Sequence, residues 1–182
     1  PLQLRDKLKK FETKAIHIGQ DPEKIYGSVS LPIYQTSTFK QHEFGEYVYD
    51  YSRAGNPTRN SLEKTISSLE EGAGAAMFSS GMSAISSVLS LLNKDDHVIF
   101  TKNVYGGTFR LVNQILNRFG LDSDWVDTSD LNIIKSNIKN STKMVFIESP
   151  TNPMMELCDI NSISRLAREN DLLLVVDNTF MS

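Results

Sequence analysis

The chain of 182 residues is 40% hydrophobic and 23% charged, which excludes a low-complexity or fibrous protein and predicts one sizeable folded core. Its net charge of -3 is spread along the sequence, so neither a basic face for nucleic acid nor a cationic amphipathic stretch for membranes is expected. A single cysteine, Cys158, permits no intrachain disulfide, suits a reducing, cytoplasmic setting and, with no adjacent histidine to serve as base, reads as packing.

The opening stretch PLQLRDKLKK is charged and helix-like and lacks the apolar centre of a signal peptide. No apolar run approaches the roughly 20 residues of a membrane span. Residues 1 to 50 carry Pro22, Pro32 and short β-branched pieces such as SVSLPIYQTSTF, with no sustained helical period. They predict an extended arm with a short opening helix, packed on something else, such as a second subunit. YDYSRAGNPTR then sets Tyr49, Tyr51, Arg53 and Arg59 around a turn. An arginine fork beside a phenol can bind a phosphate or carboxylate bidentately; a solvated turn is the alternative.

From Asn56 the pattern becomes regular. Asn56 is an N-cap residue, Pro57 follows at the first helical position, Leu62, Ile66 and Leu69 recur at helical spacing, and Gly72 is a stop, predicting a helix with one buried face. Five apolar runs follow, AAMFSS, HVIF, SDWV, KMVFIE and LLLVV. Helical segments at 83–92, 108–119, 129–137 and 159–170 separate them. Such alternation predicts an α/β domain over residues 51–182, a mostly parallel sheet between helices.

The unusual polar residues gather where these runs end: Ser79 to Gly81, Tyr105 to Gly107, Glu148 to Pro153, and Asp177 to Thr179. In a parallel sheet those ends share one edge, where ligands of open α/β sheets bind. SSGMSA puts small residues where a strand becomes a helix, so free N–H groups and the helix dipole suit a phosphate, although a plain N-cap reads the same way. ESPTNP stiffens a loop around Asn152, as a structural turn also would. Asp177 alone could be a loop residue closing a strand. GAGAAM precedes its apolar run and lacks a third glycine, which argues against a dinucleotide site. His17, His42 and His97 show no metal-ligand spacing, so no metal is expected. A phosphate cradle, a tyrosine and a carboxylate at successive strand ends match the needs of pyridoxal 5'-phosphate (PLP): an anchored phosphate, a covered ring face and a pyridine nitrogen held protonated.

YSRAGNPTR, SSGMSA, VYGGT, ESPTNP and VVDNTF, in that order, resemble the signatures of the Cys/Met metabolism PLP-dependent enzymes, the group of cystathionine γ-synthase and cystathionine γ-lyase. The resemblance implies a fold type I, aminotransferase-like PLP-binding domain. It also implies γ-elimination or γ-replacement on a small sulfur amino acid, and a homotetramer built as a dimer of dimers. By the same resemblance Tyr51 and Arg53 hold the phosphate of a neighbouring subunit's cofactor, and the backbone of Gly81 and Met82 cradles the phosphate within the chain. Tyr105 stacks on the ring and is a candidate for proton transfer, Asn152 bonds the phenolic oxygen, Asp177 the ring nitrogen, and Thr179 helps position the ring. Asp50, beside Tyr51, could meet the amino end of a long substrate. Methionine γ-lyases of the group typically carry cysteine where Gly107 stands, which argues against that activity. The group's cofactor lysine lies in a Ser-x-Thr-Lys motif that these residues do not contain. Lys102, after a strand end, is a weak substitute. The chain is therefore expected to be the first part of such a domain and inactive alone. Two other readings remain: a non-catalytic fragment that complements a partner chain, and a nucleotide-binding α/β domain.

Overall fold

The computed structural model describes residues 10–181; the helix expected in the opening stretch lies almost wholly outside them. The chain forms two compact units, divided between Ser79 and Ser80.

Among the described residues the first unit holds two helices, α1 (Phe11–His17) and α2 (Pro57–Leu69). Asn56 caps α2 as its sequence predicts: Thr58 N–H donates to Asn56 Oδ1 at 2.9 Å, and Asn56 Nδ2 donates to Tyr34 O and Ser52 Oγ, each at 3.0 Å. α1 lies on α2, with Lys14 Nζ donating to Ser68 O at 3.2 Å. Beyond α1, Ser61 Oγ donates to Gly19 O at 2.7 Å. Gly19 has φ +75°, and a Cβ there would lie 2.3 Å from Ser61 O, so only glycine fits. The buried face expected of α2 does not form within the unit: none of its residues is fully buried, and Leu62 remains half exposed. Periodicity sets a helix's apolar stripe but not what covers it. Among the described residues this unit has no buried apolar side chain and is tied together by polar contacts, while Ile25, Tyr26, Val29, Ile33 and Val48 are largely exposed. Asn56→Ala, which removes both the cap and two buried donor contacts, is expected to cost about 2 kcal/mol, measured as a shift in urea unfolding.

The second unit is a four-stranded parallel sheet of β1 (His97–Thr101), β2 (Asp122–Val126), β3 (Thr142–Glu148) and β4 (Leu173–Asp177), in the order β2-β1-β3-β4. Its helices are α3 (Gly81–Leu89), α4 (Gly106–Gln114), α5 (Leu131–Ser136) and α6 (Ile160–Glu169), with a 3-10 turn at Leu116–Phe119. Alternation along the central strands makes two cores. Val98, Phe100, Met144 and Phe146 pack with Leu89 of α3 and Val112 of α4. Ile99, Val145 and Ile147 face the other way, onto Ile134 of α5 and Ile163 and Leu166 of α6. Central β1 is buried along its whole length, whereas edge strands β2 and β4 are only half buried.

Four of the five apolar runs are therefore strands and the first, AAMFSS, is not. Its Met77 N–H donates to the Glu63 carboxylate at 3.1 Å in place of a ladder carbonyl. An apolar run becomes a strand only where a neighbour offers its edge.

His97, at the start of β1, is fully buried. Its Nδ1 lies 2.8 Å from Thr142 Oγ1, and its Nε2 is 3.2 Å from Asp124 Oδ2 but out of line for a hydrogen bond. Lys139 takes that carboxylate at 2.9 Å. Burial first, and then the Lys139 charge, lower the His97 pKa below 6.5, against the opposing pull of Asp124 and Asp122. The unfolded chain thus binds the proton more readily. Stability contributed by neutral His97 is complete above pH 6.5 and declines as pH falls toward the lowered folded value. A urea midpoint followed downward from pH 7 is expected to fall in that window, and His97→Gln to flatten the fall.

Candidate functional site

Because all four strands are parallel, their C-terminal ends form one edge, and the strand ends and loops there carry Tyr105 to Gly107, Glu148 to Pro153 and Asp177 to Thr179, whereas Ser79 to Gly81 follow no strand. Asp177 ends β4 beside Glu148, its register partner at the end of β3. Oδ1 of Asp177 accepts from Thr179 N–H at 3.2 Å and from Thr179 Oγ1 at 2.6 Å. This turn fixes the carboxylate and leaves Oδ2 without a partner among the described residues.

Tyr105 directly precedes α4 and keeps 43% of its surface exposed. Gly107 is buried beneath it: a Cβ at Gly107 would come within 2.4 Å of the Tyr105 ring and 2.8 Å of Met82 Sδ. The start of α3 and the start of α4 are thereby brought side by side. At α3, Ser83 N–H donates to Ser80 Oγ at 3.1 Å, so Ser80 is the N-cap. The N–H groups of Gly81 and Met82 keep no partner among the described residues, so the cap and phosphate-cradle readings of SSGMSA are compatible.

Asn152 is exposed on the loop after β3, which contains cis bonds at Ser149-Pro150 and Asn152-Pro153. Its N–H donates to Glu148 Oε1 at 2.9 Å, and Tyr105 N–H donates to Glu148 Oε2 at 2.6 Å. Glu148 is 5% exposed. Burial raises its carboxyl pKa above the usual value, with the Asp177 charge adding to the rise and the two N–H donors opposing it. Sequence reasoning assigned Glu148 no role. Its only local signal was a carboxylate at a strand end, as at Asp177.

Tyr105, Asn152, Asp177 and Thr179 thus lie at strand ends and loops of a single sheet edge, while Gly81 and Met82 open α3, with Met82 reaching Gly107 beneath Tyr105. Tyr51 and Arg53 belong to the first unit, where the Arg53 guanidinium lies 5.0 Å from the Tyr51 ring centroid. Arg59 is no anion fork there: it donates to Ser52 O, Arg53 O and Ala54 O and approaches Glu63, closing the turn instead. Asp50 Oδ1 accepts the Tyr51 N–H at 2.6 Å, a local contact within the same exposed turn.

Lys102 is unsuited to imine chemistry. Its Nζ lies 2.6 Å from Asp127 Oδ2, a contact that raises the ammonium pKa, whereas a nucleophilic lysine needs a lowered one. Asp127, bonded by Lys102 and Ser129, is held at about 2. Cys158 is half buried and its thiol pKa is raised by that burial, in keeping with a packing role. Among the described residues no helix is long and apolar enough to cross a membrane, and no cluster of His, Cys, Asp or Glu could hold a metal ion.

The donor set suits a flat, phosphorylated pyridine. Unpaired N–H groups at a helix start can take the phosphate, an accessible phenol ring can cover a face, and a half-open carboxylate can take a ring N–H. Residues 12–182 match the profile described as "Cys/Met metabolism PLP-dependent enzyme". The chain is 44% identical over 173 residues to a probable cystathionine gamma-synthase of Herpetosiphon aurantiacus, covering 94% of this chain and 54% of that one. It is 47% identical over 171 residues to a cystathionine beta-lyase of Lactococcus lactis, covering 93% and 45%. A crystal structure of cystathionine gamma-lyase from Lactobacillus plantarum complexed with L-serine superimposes with a TM-score of 0.91 at 45% identity, over 96% of this chain and 46% of that one. The chain spans about half the length of the curated relatives it matches.

Proposed function

The chain belongs to the Cys/Met metabolism PLP-dependent enzyme family, and from that membership we propose that its second unit binds PLP for γ-elimination or γ-replacement on a sulfur amino acid of the cystathionine class. The observation that carries this reading is Asp177, locked by Thr179 at the sheet edge with Oδ2 open. When bound, PLP supplies an electron sink for charge developing on the substrate carbon. Asp177 Oδ2 accepts the ring N–H and keeps that proton on the nitrogen. Gly81 and Met82 N–H groups bind the phosphate, Asn152 bonds the phenolic oxygen, and Thr179 positions the ring by fixing Asp177. Tyr105 covers the ring, and its hydroxyl is placed to move a proton on the substrate. Gly107 lets Tyr105 sit close to Met82; a cysteine in its place would push the ring away, which favours the synthase and γ-lyase branches over methionine γ-lyase.

Tyr51 and Arg53 serve the cofactor phosphate of a neighbouring subunit in a cytoplasmic homotetramer. In that assembly the apolar residues of the 1–50 arm that are exposed here, among them Ile25 and Tyr26, are covered by the neighbour. The Ser-x-Thr-Lys motif being absent from the 182 residues, the chain by itself is expected to turn over no substrate.

Equilibrium dialysis of PLP, with pyridoxal as the phosphate-free comparison, tests the reading. Binding of PLP in preference to pyridoxal is expected; equal or absent binding overturns it. Lyase or synthase turnover by the purified chain would overturn the prediction of inactivity.

A further inference from the structure

We infer that Glu148 is a positioning residue that sets the two loops carrying Tyr105 and Asn152 relative to Asp177. The inference rests on the PLP reading above and extends it to a residue without direct contact to the ring. Each oxygen of the carboxylate takes one backbone N–H: Oε2 that of Tyr105 at 2.6 Å and Oε1 that of Asn152 at 2.9 Å. The two loops leave different strands and would otherwise be joined here only through side chains such as Asn103, whose Nδ2 donates to Glu156 at 2.8 Å. One contact holds the Glu148 backbone directly, and two more brace its neighbours. Glu148 N–H donates to Thr101 Oγ1 at 3.2 Å, Thr101 Oγ1 lies 2.9 Å from Thr128 Oγ1, and Ser149 N–H donates to Asp177 O at 3.2 Å.

A carboxylate is the side chain this geometry needs. Two convergent N–H donors require two acceptor oxygens, and charged acceptors make the shorter, stronger bonds. Glutamine has the same shape but only one acceptor; its amide group would oppose the second N–H and push one loop away. An apolar residue would leave both N–H groups buried and unpaired. A shift of about 1 Å in a positioning loop is enough to spoil alignment at a reacting centre.

The test compares the wild-type chain, Glu148→Gln and Ser136→Ala. The last is an exposed change at the far end of α5, outside the Glu148 network. Amide exchange at Tyr105 and Asn152 is measured without PLP; affinity and induced circular dichroism in the coenzyme band are measured with it. In Glu148→Gln, exchange at one or both amides is expected to rise, PLP affinity to fall roughly tenfold and the dichroism band to change, while Ser136→Ala keeps affinity within about twofold. Unchanged exchange, or faster exchange with unaltered affinity and dichroism, overturns the inference, since a purely structural carboxylate would act that way. A wild-type chain that binds no PLP overturns the functional reading instead, and is recognised before any variant is compared. Should Glu148→Gln not fold, Glu148→Asp keeps the charge, is too short to reach both amides, and carries the same expectations.

Discussion

Asp177→Ala is expected to weaken PLP binding by the chain by roughly tenfold to a hundredfold, the range for losing a hydrogen bond to a charged group. Its carboxylate is the acidic group held at the sheet edge with an oxygen to spare, Oδ1 being occupied by both donors of Thr179. Asp177→Asn separates charge from shape. It keeps an acceptor for the Thr179 turn but no longer stabilises a protonated ring nitrogen, so affinity should fall nearly as far and the bound cofactor's absorbance should shift toward the neutral ring. Neither change should greatly alter unfolding in urea, because Asp177 lies at the end of edge strand β4 and outside both apolar cores. Affinity within about twofold of wild type in both variants would remove Asp177 from the site.

Phe100→Ala should be the most damaging single change to stability, costing about 3 to 5 kcal/mol in urea unfolding of the second unit. Phe100 is fully buried in β1, stacked on Trp125 with centroids 4.5 Å apart and tilted against Phe146 at 5.4 Å. Removing it opens a cavity between a central strand and its neighbours on both sides, and β1 cannot close around it while paired to β2 and β3. Phe109 also meets Trp125, at 5.0 Å, but is 48% exposed on α4, so Phe109→Ala should cost less than about 1 kcal/mol. Equal losses for the two would show that the aromatic contact, and not the core around Phe100, carries the energy.

Much of the second unit was legible along the chain. HVIF, SDWV, KMVFIE and LLLVV are strands, and helices fall between them within a few residues of their predicted ends. These signals are local: apolar runs of strand length, an Asn-Pro start, a small-residue turn into a helix. Chain order alone also placed Tyr105, Asn152 and Asp177 at strand ends, which parallel pairing puts on a common edge. Where the outcome hung on which partner a group finds, the pattern along the chain was not enough. AAMFSS has the composition of a strand but not the ladder. Arg59 has the chemistry of an anion fork, yet its guanidinium is committed to the backbone of its own turn.

The sequence by itself determined the alternation of strands and helices, the cap of α2 and the order in which the polar residues reach the sheet edge, because each depends on neighbours within about one or two helical turns. Tertiary structure decided which of those residues have groups left over for a ligand. Glu148 takes the Asn152 amide from its own loop, but acquires the Tyr105 amide only because β1 and β3 lie side by side, bringing Tyr105 to it across 43 positions of sequence. The same pairing buries His97 against Thr142, while Lys102 becomes a paired ammonium through the return of β2 beside β1. Strand neighbours in space are not neighbours in sequence, so the free oxygen of Asp177 and the two filled oxygens of Glu148 look alike until the sheet is assembled.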